Sequence, residues 1–537
     1  MKSILVLVLA AGVCAAQVQS ISGERIRADV KFLSSDLMEG RGVATRGGRL
    51  ATEYIATQFA LIGARPAGDN GTYFQKVPLV GVETQPDATM SATRGGRTIP
   101  LKWAEEFVGA DERQQQAGGF DAEVVFVGHG IVAPEFQWDD FKGVDVRGKI
   151  VLLFTNEPDS SDPKFFGGRA LTYYGRWSYK YEEALRKGAL AAIIIHTTPT
   201  AGYGWEVVRN SWGREGSSVR LAPGAQALAF AGWVTEDAGG RILALAGHNV
   251  RDLLAASNSR DFRPIPLGIR MKASLRSKIQ EQDTRNVIAK IPGSDAGAES
   301  EAVIFSAHWD HLGIGTPVNG DAIYNGAVDN ATGGAMLLEL ARAWVGLEQK
   351  PRRSALFIAV TAEEAGLRGS EYYATHPVVA AGKTAADFNM DGLYPLGRPL
   401  DVVVTGAERT TLWPLVEEAA RRSTLRIAPD PEPEQGHYYR SDHFAFAHVG
   451  IPAFSIAQGS EVAGKPAGYG TNLIREYDAK RYHQPSDEYS ADWDFSGLEL
   501  LARFTMLLGV NTANLDALPT WNSGDEFLPA RQQSGVR

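Results

Sequence analysis

Hydrophobic residues along the chain change their spacing several times, and these changes predict its architecture. Between residues 21 and 63 they recur at helical spacing, and Gly63 is typical of a helix C-terminus. Short apolar runs separated by glycines predict a β-rich module from about residue 118 to residue 276. From residue 277 short strands alternate with helices, which predicts an α/β domain with a mixed, mostly parallel sheet and helices on both faces.

These patterns divide the chain into an α/β domain and a second domain inserted within it. At 537 residues the chain is longer than one hydrophobic core usually serves. We predict, in order, a signal peptide, the first part of the α/β domain, the inserted β-rich domain, the second part of the α/β domain and a polar surface tail: residues 1–16, 17–117, 118–276, 277–510 and 511–537.

The first residues predict export. Lys2 precedes the apolar run from Ile4 to Ala11, which is too short to span a bilayer, and small residues follow before Gln17. The only cysteine, Cys14, lies in this segment, so the mature chain would contain no disulfide. The alternative is a lipoprotein acylated at Cys14, which is disfavoured because Val13 is bulkier than the small residue that normally precedes a lipidated cysteine.

Charge and hydrophobic content narrow the range of partners. The net charge is -9 and no basic block is present, which argues against nucleic acid or an anionic membrane as a partner. After the first residues no apolar run is long enough for a membrane helix. The composition, with 44% hydrophobic and 22% charged residues, is ordinary for soluble globular proteins.

Side chains that can bind a metal follow the predicted strands where each strand stops. The run from Ala302 ends in His308, and the run from Ala355 to Val360 is followed by two adjacent glutamates. Another strand-like segment ends at Asp391, and Asp329 lies in a glycine-rich loop before a helical pattern. In open α/β sheets ligands bind beyond the carboxyl ends of the strands. We therefore expect these side chains to converge.

The converging residues predict a pair of divalent cations. Imidazoles and carboxylates without a thiolate suit zinc, with Co²⁺ or Mn²⁺ as possible substitutes. Asp329 can bridge the ions because it has two oxygens, and we assign the remaining ligands in pairs: His308 with Asp391, and Glu364 with His483. Two such ions can activate a water for hydrolysis.

Two further carboxylates have predicted roles beside the metals. Adjacent residues point apart, so Glu363 is free to act as the general base while Glu364 binds metal. Asp310, two residues after His308, can accept a hydrogen bond from the imidazole nitrogen that does not bind metal. Each motif alone is typical of a turn or a helix cap, and only their joint occurrence favours a site. The remaining histidines are predicted to be structural: His129, His196, His248 and His376.

Together these motifs resemble the co-catalytic di-zinc exopeptidases, which include bacterial leucyl aminopeptidases, glutamate carboxypeptidase and the transferrin-receptor-like proteins. The resemblance rests on His308-Trp309-Asp310, Asp329-Asn330-Ala331-Thr332-Gly333, Glu363-Glu364-Ala365-Gly366, Asn389-Met390-Asp391 and Tyr482-His483. It implies the same metal ligands, Glu363 as base and a cis peptide between Asp329 and Asn330. It also implies that the insert, through Gly148-Lys149-Ile150-Val151 and Gly188-Ala189-Leu190-Ala191, is a protease-associated domain.

The expected function is that of an exported di-zinc metallopeptidase acting on peptide ends, with an aminopeptidase as the favoured type. Tyr438, Tyr439 and Arg440 are expected near the substrate, because Ser441-Asp442-His443-Phe444 resembles a loop flanking the family's cleft. A glutamate-releasing carboxypeptidase would share the metals but needs an arginine cluster that the sequence does not identify. A glutaminyl cyclase and a non-catalytic receptor-like scaffold are disfavoured, because the second pair of metal ligands and the general base are both present.

Overall fold

The computed structural model describes residues 20–536, so the predicted signal peptide and Cys14 lie outside the described residues. The chain divides into two compact units: Met1–Val77, Asp283–Pro431 and Arg440–Arg537 form the first, and Pro78–Gln282 and Glu432–Tyr439 form the second. The second unit is therefore larger than the predicted insert, because residues 78–117 lie in it and not in the α/β domain.

The first unit is built on a mixed sheet. Its strands in chain order are β1 (Arg65–Pro66), β2 (the C-terminal part of Ile265–Ile291), β3 (Ala302–His308), β4 (Ser354–Val360), β5 (Thr384–Asn389), β6 (Asp401–Thr405), β7 (Arg426–Ala428) and β8 (Ala453–Gln458). Their spatial order is β1-β2-β4-β3-β5-β8-β6-β7. The four neighbours β4, β3, β5 and β8 are mutually parallel, while β1, β2 and β6 introduce antiparallel pairs.

Both faces of the central strands are buried, as the sequence pattern predicts for a parallel sheet. Every residue of β3 and β4 is buried, although neighbouring side chains point to opposite faces. On one face, Phe305 of β3 stacks on Phe357 of β4 at a centroid distance of 5.1 Å. Burial of both faces requires helices on each side, so the strands are continuous apolar runs without alternation.

The helical spacing between residues 21 and 63 corresponds to two helices of the first unit. The second helix begins at Thr45, whose side chain accepts from the Gly48 amide, and ends at Gly63 with a φ of 87°. Its helices are Gly23–Leu33, Arg46–Ile62, Thr332–Val345, Arg368–Thr375, Trp413–Ser423, His443–His448, Tyr469–Lys480, Ser496–Ala513 and Leu528–Gln533. No helix among residues 20–536 combines the length and apolar character that a membrane span requires.

The second unit contains its own sheet, which has a parallel centre. Its paired strands are Thr89–Arg94, Arg97–Leu101, Phe107–Ala110, Ala117–Phe126, Ile150–Phe154, Ala191–Ile195, Phe230–Val234 and the first part of Ile265–Ile291. Its longer helices are Trp177–Arg186, Trp205–Trp212, Glu236–Leu245 and Val250–Ser257. Residues 191–195 form the buried strand that the run of Ala and Ile predicts.

The prediction of a polar surface tail for residues 511–537 is wrong. Trp521 is fully buried and its indole N–H donates to the Gly450 carbonyl at 3.0 Å. Arg531 is also buried, and its guanidinium donates to the carbonyls of Pro519 and Ala381. A single buried tryptophan and a buried arginine fix the position of this segment. Neither produces a periodic apolar pattern, so the segment looks polar in sequence.

Candidate metal centre

The predicted metal ligands converge because three of them follow adjacent parallel strands. His308 is the last residue of β3, while Glu364 and Asp391 follow the ends of β4 and β5. These strands are neighbours in the sheet and run in the same direction, so their carboxyl ends lie side by side. After β4 the chain turns sharply at Ala362, whose φ is 55°.

Asp329 lies at the centre of the cluster. Its loop follows Gly326, which has a φ of 59°, and leads into the helix Thr332–Val345. The Asp329–Asn330 peptide is cis, as the family resemblance predicts. One carboxylate oxygen, Oδ1, lies 3.2 Å from His308 Nε2, and the other, Oδ2, lies 3.3 Å from His483 Nε2. Asp329 therefore faces both halves of the cluster.

Each half contains one imidazole and one further carboxylate. His308 Nε2 lies 3.1 Å from Asp391 Oδ1, and His483 Nε2 lies 3.0 Å from Glu364 Oε2. Two ligands of one tetrahedral zinc, with bonds of about 2.0–2.1 Å, lie about 3.3 Å apart. The four nitrogen–oxygen distances thus match the spacing of ligands around two zinc ions that share Asp329. The same residues lie together as were paired from the sequence, and their role as metal ligands stays a prediction.

The electrostatics of the cluster also fit cations. His483 Nε2 is buried and makes no aligned hydrogen bond with residues 20–536, although a carboxylate oxygen is close. Burial would lower the pKa of His308, but the carboxylates of Asp391 and Asp329 outweigh it and raise the pKa well above its usual value. So many acidic groups around two imidazoles require additional positive charge. The donor set, two histidines and three carboxylates, suits zinc.

Glu363 lies beside the ligands. Oxygens of Glu363 and Glu364 and a ring nitrogen of His308 all lie within 4.8 Å of one another. Desolvation, together with the charges of Asp391, Glu364 and Asp442, raises the pKa of Glu363 well above its usual value. The position next to the ligands is the one that a proton-transferring group would need.

Asp310 contacts His308 through a different atom from the one predicted. His308 Nδ1 donates to the main-chain carbonyl of Asp310 at 3.1 Å, and not to its carboxylate. The prediction of a carboxylate partner is therefore wrong, because the chain turns after β3 and brings this carbonyl over the ring. The Asp310 carboxylate instead accepts from the Glu363 amide at 3.3 Å, and burial raises its pKa to about 6.

A serine supports the ligand Asp391. Ser441 donates its hydroxyl hydrogen to Asp391 Oδ2 at 2.6 Å, and Asn389 donates to the Ser441 oxygen at 2.7 Å. Asp391 therefore presents Oδ1 to the metal position while Oδ2 is held by a hydrogen bond. The sequence places Ser441 in a loop expected near the cleft but gives no sign of this contact.

His311 lies in the cluster but was not predicted from the sequence. This buried histidine lies with its Nδ1 2.6 Å from Glu364 Oε1 and 3.9 Å from Asp329 Oδ2. A second histidine three residues after His308, directly at the end of a predicted strand, is the signal that could have identified it.

Arg41 and Asp487 were also missed, and they hold the loop that carries Asp329. Arg41 is buried and donates to four main-chain carbonyls, those of Leu33, Trp309, Asn325 and Gly326. Asp487 accepts from the next amides along the same loop, those of Ala327 (at its main-chain carbonyl), Val328 and Asp329 (at its carboxylate). Two buried opposite charges thus satisfy successive peptide groups of residues 325–329.

The predicted substrate residues do not form one group. Tyr438 and Tyr439 belong to the second unit, where both are buried and Tyr439 lies 6.0 Å from Tyr173 between ring centroids. Arg440 belongs to the first unit and is exposed. Burial raises the pKa of Tyr482, and the charge of Arg440 partly opposes this effect. A substrate role for these residues stays a prediction.

The four histidines predicted to be structural do not join the described cluster. His129 contacts Thr155 O at 3.2 Å and Asn258 Oδ1 at 3.1 Å, and His196 contacts Tyr203 O at 3.0 Å. His376 stacks on Tyr372 with ring centroids 4.2 Å apart. His248 is partly exposed at the end of a helix.

Comparison with known proteins identifies the region that carries this cluster. Residues 286–502 match the profile of Peptidase family M28. This match covers less than half of the chain. All five predicted metal ligands and Glu363 lie within the residues of the M28 match.

Individual proteins similar to this chain include one curated relative and several solved structures. The leupeptin-inactivating enzyme 1 of Streptomyces exfoliatus is 27% identical over 206 residues, which cover 38% of this chain but only 42% of that protein. The aminopeptidase from Aneurinibacillus sp. strain AM-1 has a TM-score of 0.48 at 20% identity, covering 91% of this chain and 94% of its own. A zinc aminopeptidase from Bacillus subtilis has a TM-score of 0.41 at 17% identity, with the same coverages of 91% and 94%.

Proposed function

We propose that this M28 peptidase is an exported di-zinc aminopeptidase. The observation that carries the proposal is the division of Asp329 between two imidazole–carboxylate pairs, with distances of 3.0–3.3 Å from each imidazole to its carboxylates. Two bound zinc ions would supply an activated water and stabilise the charge that develops on the substrate carbonyl.

The side chains of the cluster would have separate roles in the reaction. His308 with Asp391, and His483 with Glu364, would each hold one ion, and Asp329 would join the two. Glu363 is placed to take a proton from the attacking water and to pass it to the leaving amine nitrogen. The His308 ring is oriented by the Asp310 carbonyl, which fixes hydrogen on Nδ1 and leaves Nε2 free for metal.

The excess of carboxylates favours an amino terminus as the group recognised. Beyond the ligands, Glu363 and Asp442 remain near the site, and Asp442 is buried with an oxygen that has no hydrogen-bond partner among the described residues. A protonated amine can supply the missing donor, whereas a carboxylate would be repelled. The glutamate-releasing carboxypeptidase alternative requires the reverse charge.

The first prediction concerns the general base. Glu363→Gln should bind two zinc ions like the wild type and lose turnover by about 10²–10⁴-fold, because proton transfer is removed while the ligands stay. Metal analysis together with hydrolysis of aminoacyl chromogenic substrates measures both effects. Glu371→Gln, an exposed glutamate on the next helix, is the matched control and should keep full activity. Wild-type turnover in Glu363→Gln would remove the assignment.

Blocked dipeptides test whether the enzyme acts at the amino end or at the carboxyl end of a peptide. An aminopeptidase should hydrolyse a dipeptide with a blocked carboxyl group and reject one with a blocked amino group. The opposite result would favour the carboxypeptidase alternative, and a wild-type protein that binds no zinc would favour the receptor-like scaffold. Export is tested separately, by sequencing the N-terminus of the mature protein, which should begin at Gln17, or at an acylated Cys14 for a lipoprotein.

A further inference from the structure

His311 contacts one oxygen of Glu364, while the other oxygen faces the metal position. His311 Nδ1 lies 2.6 Å from Glu364 Oε1, and His483 Nε2 lies 3.0 Å from Glu364 Oε2. A carboxylate can only accept hydrogen bonds, so the hydrogen in the first contact belongs to the imidazole Nδ1. The two oxygens of Glu364 therefore have different partners.

The distances separate a hydrogen-bond partner from a metal ligand. Two atoms bound to the same tetrahedral zinc lie about 3.3 Å apart, whereas a charge-assisted N–H···O bond is about 2.7–2.9 Å or shorter. The 2.6 Å between His311 and Glu364 belongs to the second class. The 3.9 Å from His311 Nδ1 to Asp329 Oδ2 is also longer than the ligand spacings in the cluster. Although atoms of His311, Asp329 and Glu364 all lie within 4.8 Å of one another, these distances favour His311 as a partner of the ligand Glu364 over a further ligand.

The backbone and a glycine fix the ring of His311 in this position. Its amide donates to the Arg41 carbonyl at 3.3 Å, and the residue pairs with Gly42 as an isolated bridge. Gly326 packs against the ring so closely that a Cβ there would lie 2.5 Å from His311 Cγ. The side chain is buried, so the imidazole cannot turn away from Glu364 without displacing main chain.

We infer that His311 is a positioning residue that holds Glu364 by Oε1 and so makes it bind its zinc through Oε2 alone. This inference rests on the proposed di-zinc function. Asp391 has the same arrangement through Ser441, so each terminal carboxylate of the site would use one oxygen for metal and one for a hydrogen bond. Loss of such a partner weakens metal binding by about 10–100-fold.

The test compares three substitutions of His311 in the full chain. His311→Leu removes the donor, His311→Asn keeps an N–H near the Nδ1 position, and His311→Gln moves the amide toward the Nε2 position. Exposed His376→Leu is the matched control. Each protein is first checked by circular dichroism in chelator, and zinc is then titrated against a chromophoric chelator. The absorption spectrum of the cobalt-substituted protein reports the geometry at the metals.

The inference is supported if affinity for one zinc ion is lost in some variants and retained in His311→Asn. His311→Leu and His311→Gln should bind one of the two zinc ions about 10–100-fold more weakly, while His311→Asn and His376→Leu bind both like the wild type. If His311→Leu does not fold, the asparagine and glutamine pair decides the question. Equal affinity for both ions in all variants would overturn the inference. Loss of a whole ion in His311→Asn as well would make His311 a ligand and also overturn it.

The same titration separates this inference from the function on which it rests. A wild-type chain that binds fewer than two zinc ions contradicts the di-zinc proposal, whatever the variants do. A wild-type chain that binds two ions and variants that bind them equally well leaves the function standing and removes only the role of His311.

Discussion

At the scale of single residues, His129 shows how burial alone changes an imidazole. It lies in the second unit, and burial together with the charge of Lys180 lowers its pKa to about 4. The unfolded chain has a pKa near 6.5 at this position, so between these values only the unfolded state binds the proton. Stability should therefore be lost as the pH falls from about 6.5 to about 4.

The expected loss from His129 is up to about 3 kcal/mol in the free energy of unfolding, because each pKa unit corresponds to about 1.4 kcal/mol. Urea unfolding at pH 7 and pH 4.5 measures it, with His129→Asn as the variant that cannot titrate. The decrease between the two pH values should be smaller in His129→Asn than in the wild type. His248→Asn, in the same unit, should behave like the wild type, and an equal decrease in all three proteins would show that His129 contributes nothing.

Candidate metal ligands are easier to predict than the residues that hold them in place. His308 and Asp391 follow strand ends, and their chemistry limits what they can do there. Asp487 accepts hydrogen bonds from backbone amides. Any acidic loop residue could do the same, so neither spacing nor residue type distinguishes Asp487 in the sequence. The contact of His308 with the Asp310 carbonyl shows the same limit, because main-chain geometry cannot be inferred from side-chain identity.

At the scale of elements, the loop of residues 325–329 is stabilised by charges from two distant segments. Arg41 satisfies its first carbonyls and Asp487 its following amides. Burial lowers the pKa of Arg41 to about 10, with Asp487 opposing the shift. Because Asp329 ends this loop and faces both halves of the cluster, the loop couples the N-terminal segment to the whole cluster.

Asp487→Asn should therefore weaken both folding and metal binding. The Asp487 carboxylate now accepts hydrogen bonds from two backbone N–H groups. Asparagine has only one acceptor oxygen, so its NH2 group would face one of these N–H groups, and two donors cannot form a hydrogen bond. We expect a loss of about 3 kcal/mol in the free energy of unfolding of the metal-free protein, since hydrogen bonds to charged groups are worth about 1.5–3 kcal/mol each. Affinity for both zinc ions should fall, because the bridging residue moves.

Tyr477→Phe is the matched control for Asp487→Asn. It removes the phenol hydrogen bond to Asp487, 2.9 Å long, but leaves both backbone bonds. This substitution should lower the free energy of unfolding by about 1 kcal/mol, and zinc affinity should stay unchanged. Denaturant unfolding and zinc titration of the three proteins measure these effects. Wild-type zinc affinity in Asp487→Asn would show that the loop does not depend on the carboxylate.

Elements with strong periodic patterns were predictable, and those fixed by single contacts were not. The buried strand Ala191–Ile195 and the strand at Asp401–Thr405 lie where the apolar runs place them. The last helix, Leu528–Gln533, is short and polar, and its position depends on the buried Arg531. A contact with distant carbonyls leaves no local period in the sequence.

At the scale of the molecule, the predicted metal chemistry belongs to one of the two compact units. All five predicted ligands belong to the first unit, which holds the M28 match except for residues 432–439. The change of hydrophobic pattern located the inserted region, but its start was predicted about forty residues too late, at residue 118 instead of Pro78. Strand Phe74–Thr84 crosses that boundary without a break, so no turn or change of composition marks it.

Removal of metal should consequently loosen the first unit and leave the second unchanged. Ligand binding stabilises a folded state by about 4 kcal/mol when the free ligand is 1,000 times its dissociation constant. Hydrogen–deuterium exchange with and without a chelator can locate this effect along the chain. We expect faster exchange in the chelated protein around residues 308–311, 325–330 and 483–487, whose amides lie in the ligand loops.

The strands Ile150–Phe154 and Ala191–Ile195 of the second unit are the internal control, because they pair with each other and with other strands of that unit. Their exchange should be the same in both conditions. Restoring zinc should restore protection in the ligand loops alone. Uniform acceleration over both units would instead mean that the ions stabilise the chain as a whole, and exchange that is unaffected by the chelator would argue against metal binding at this cluster.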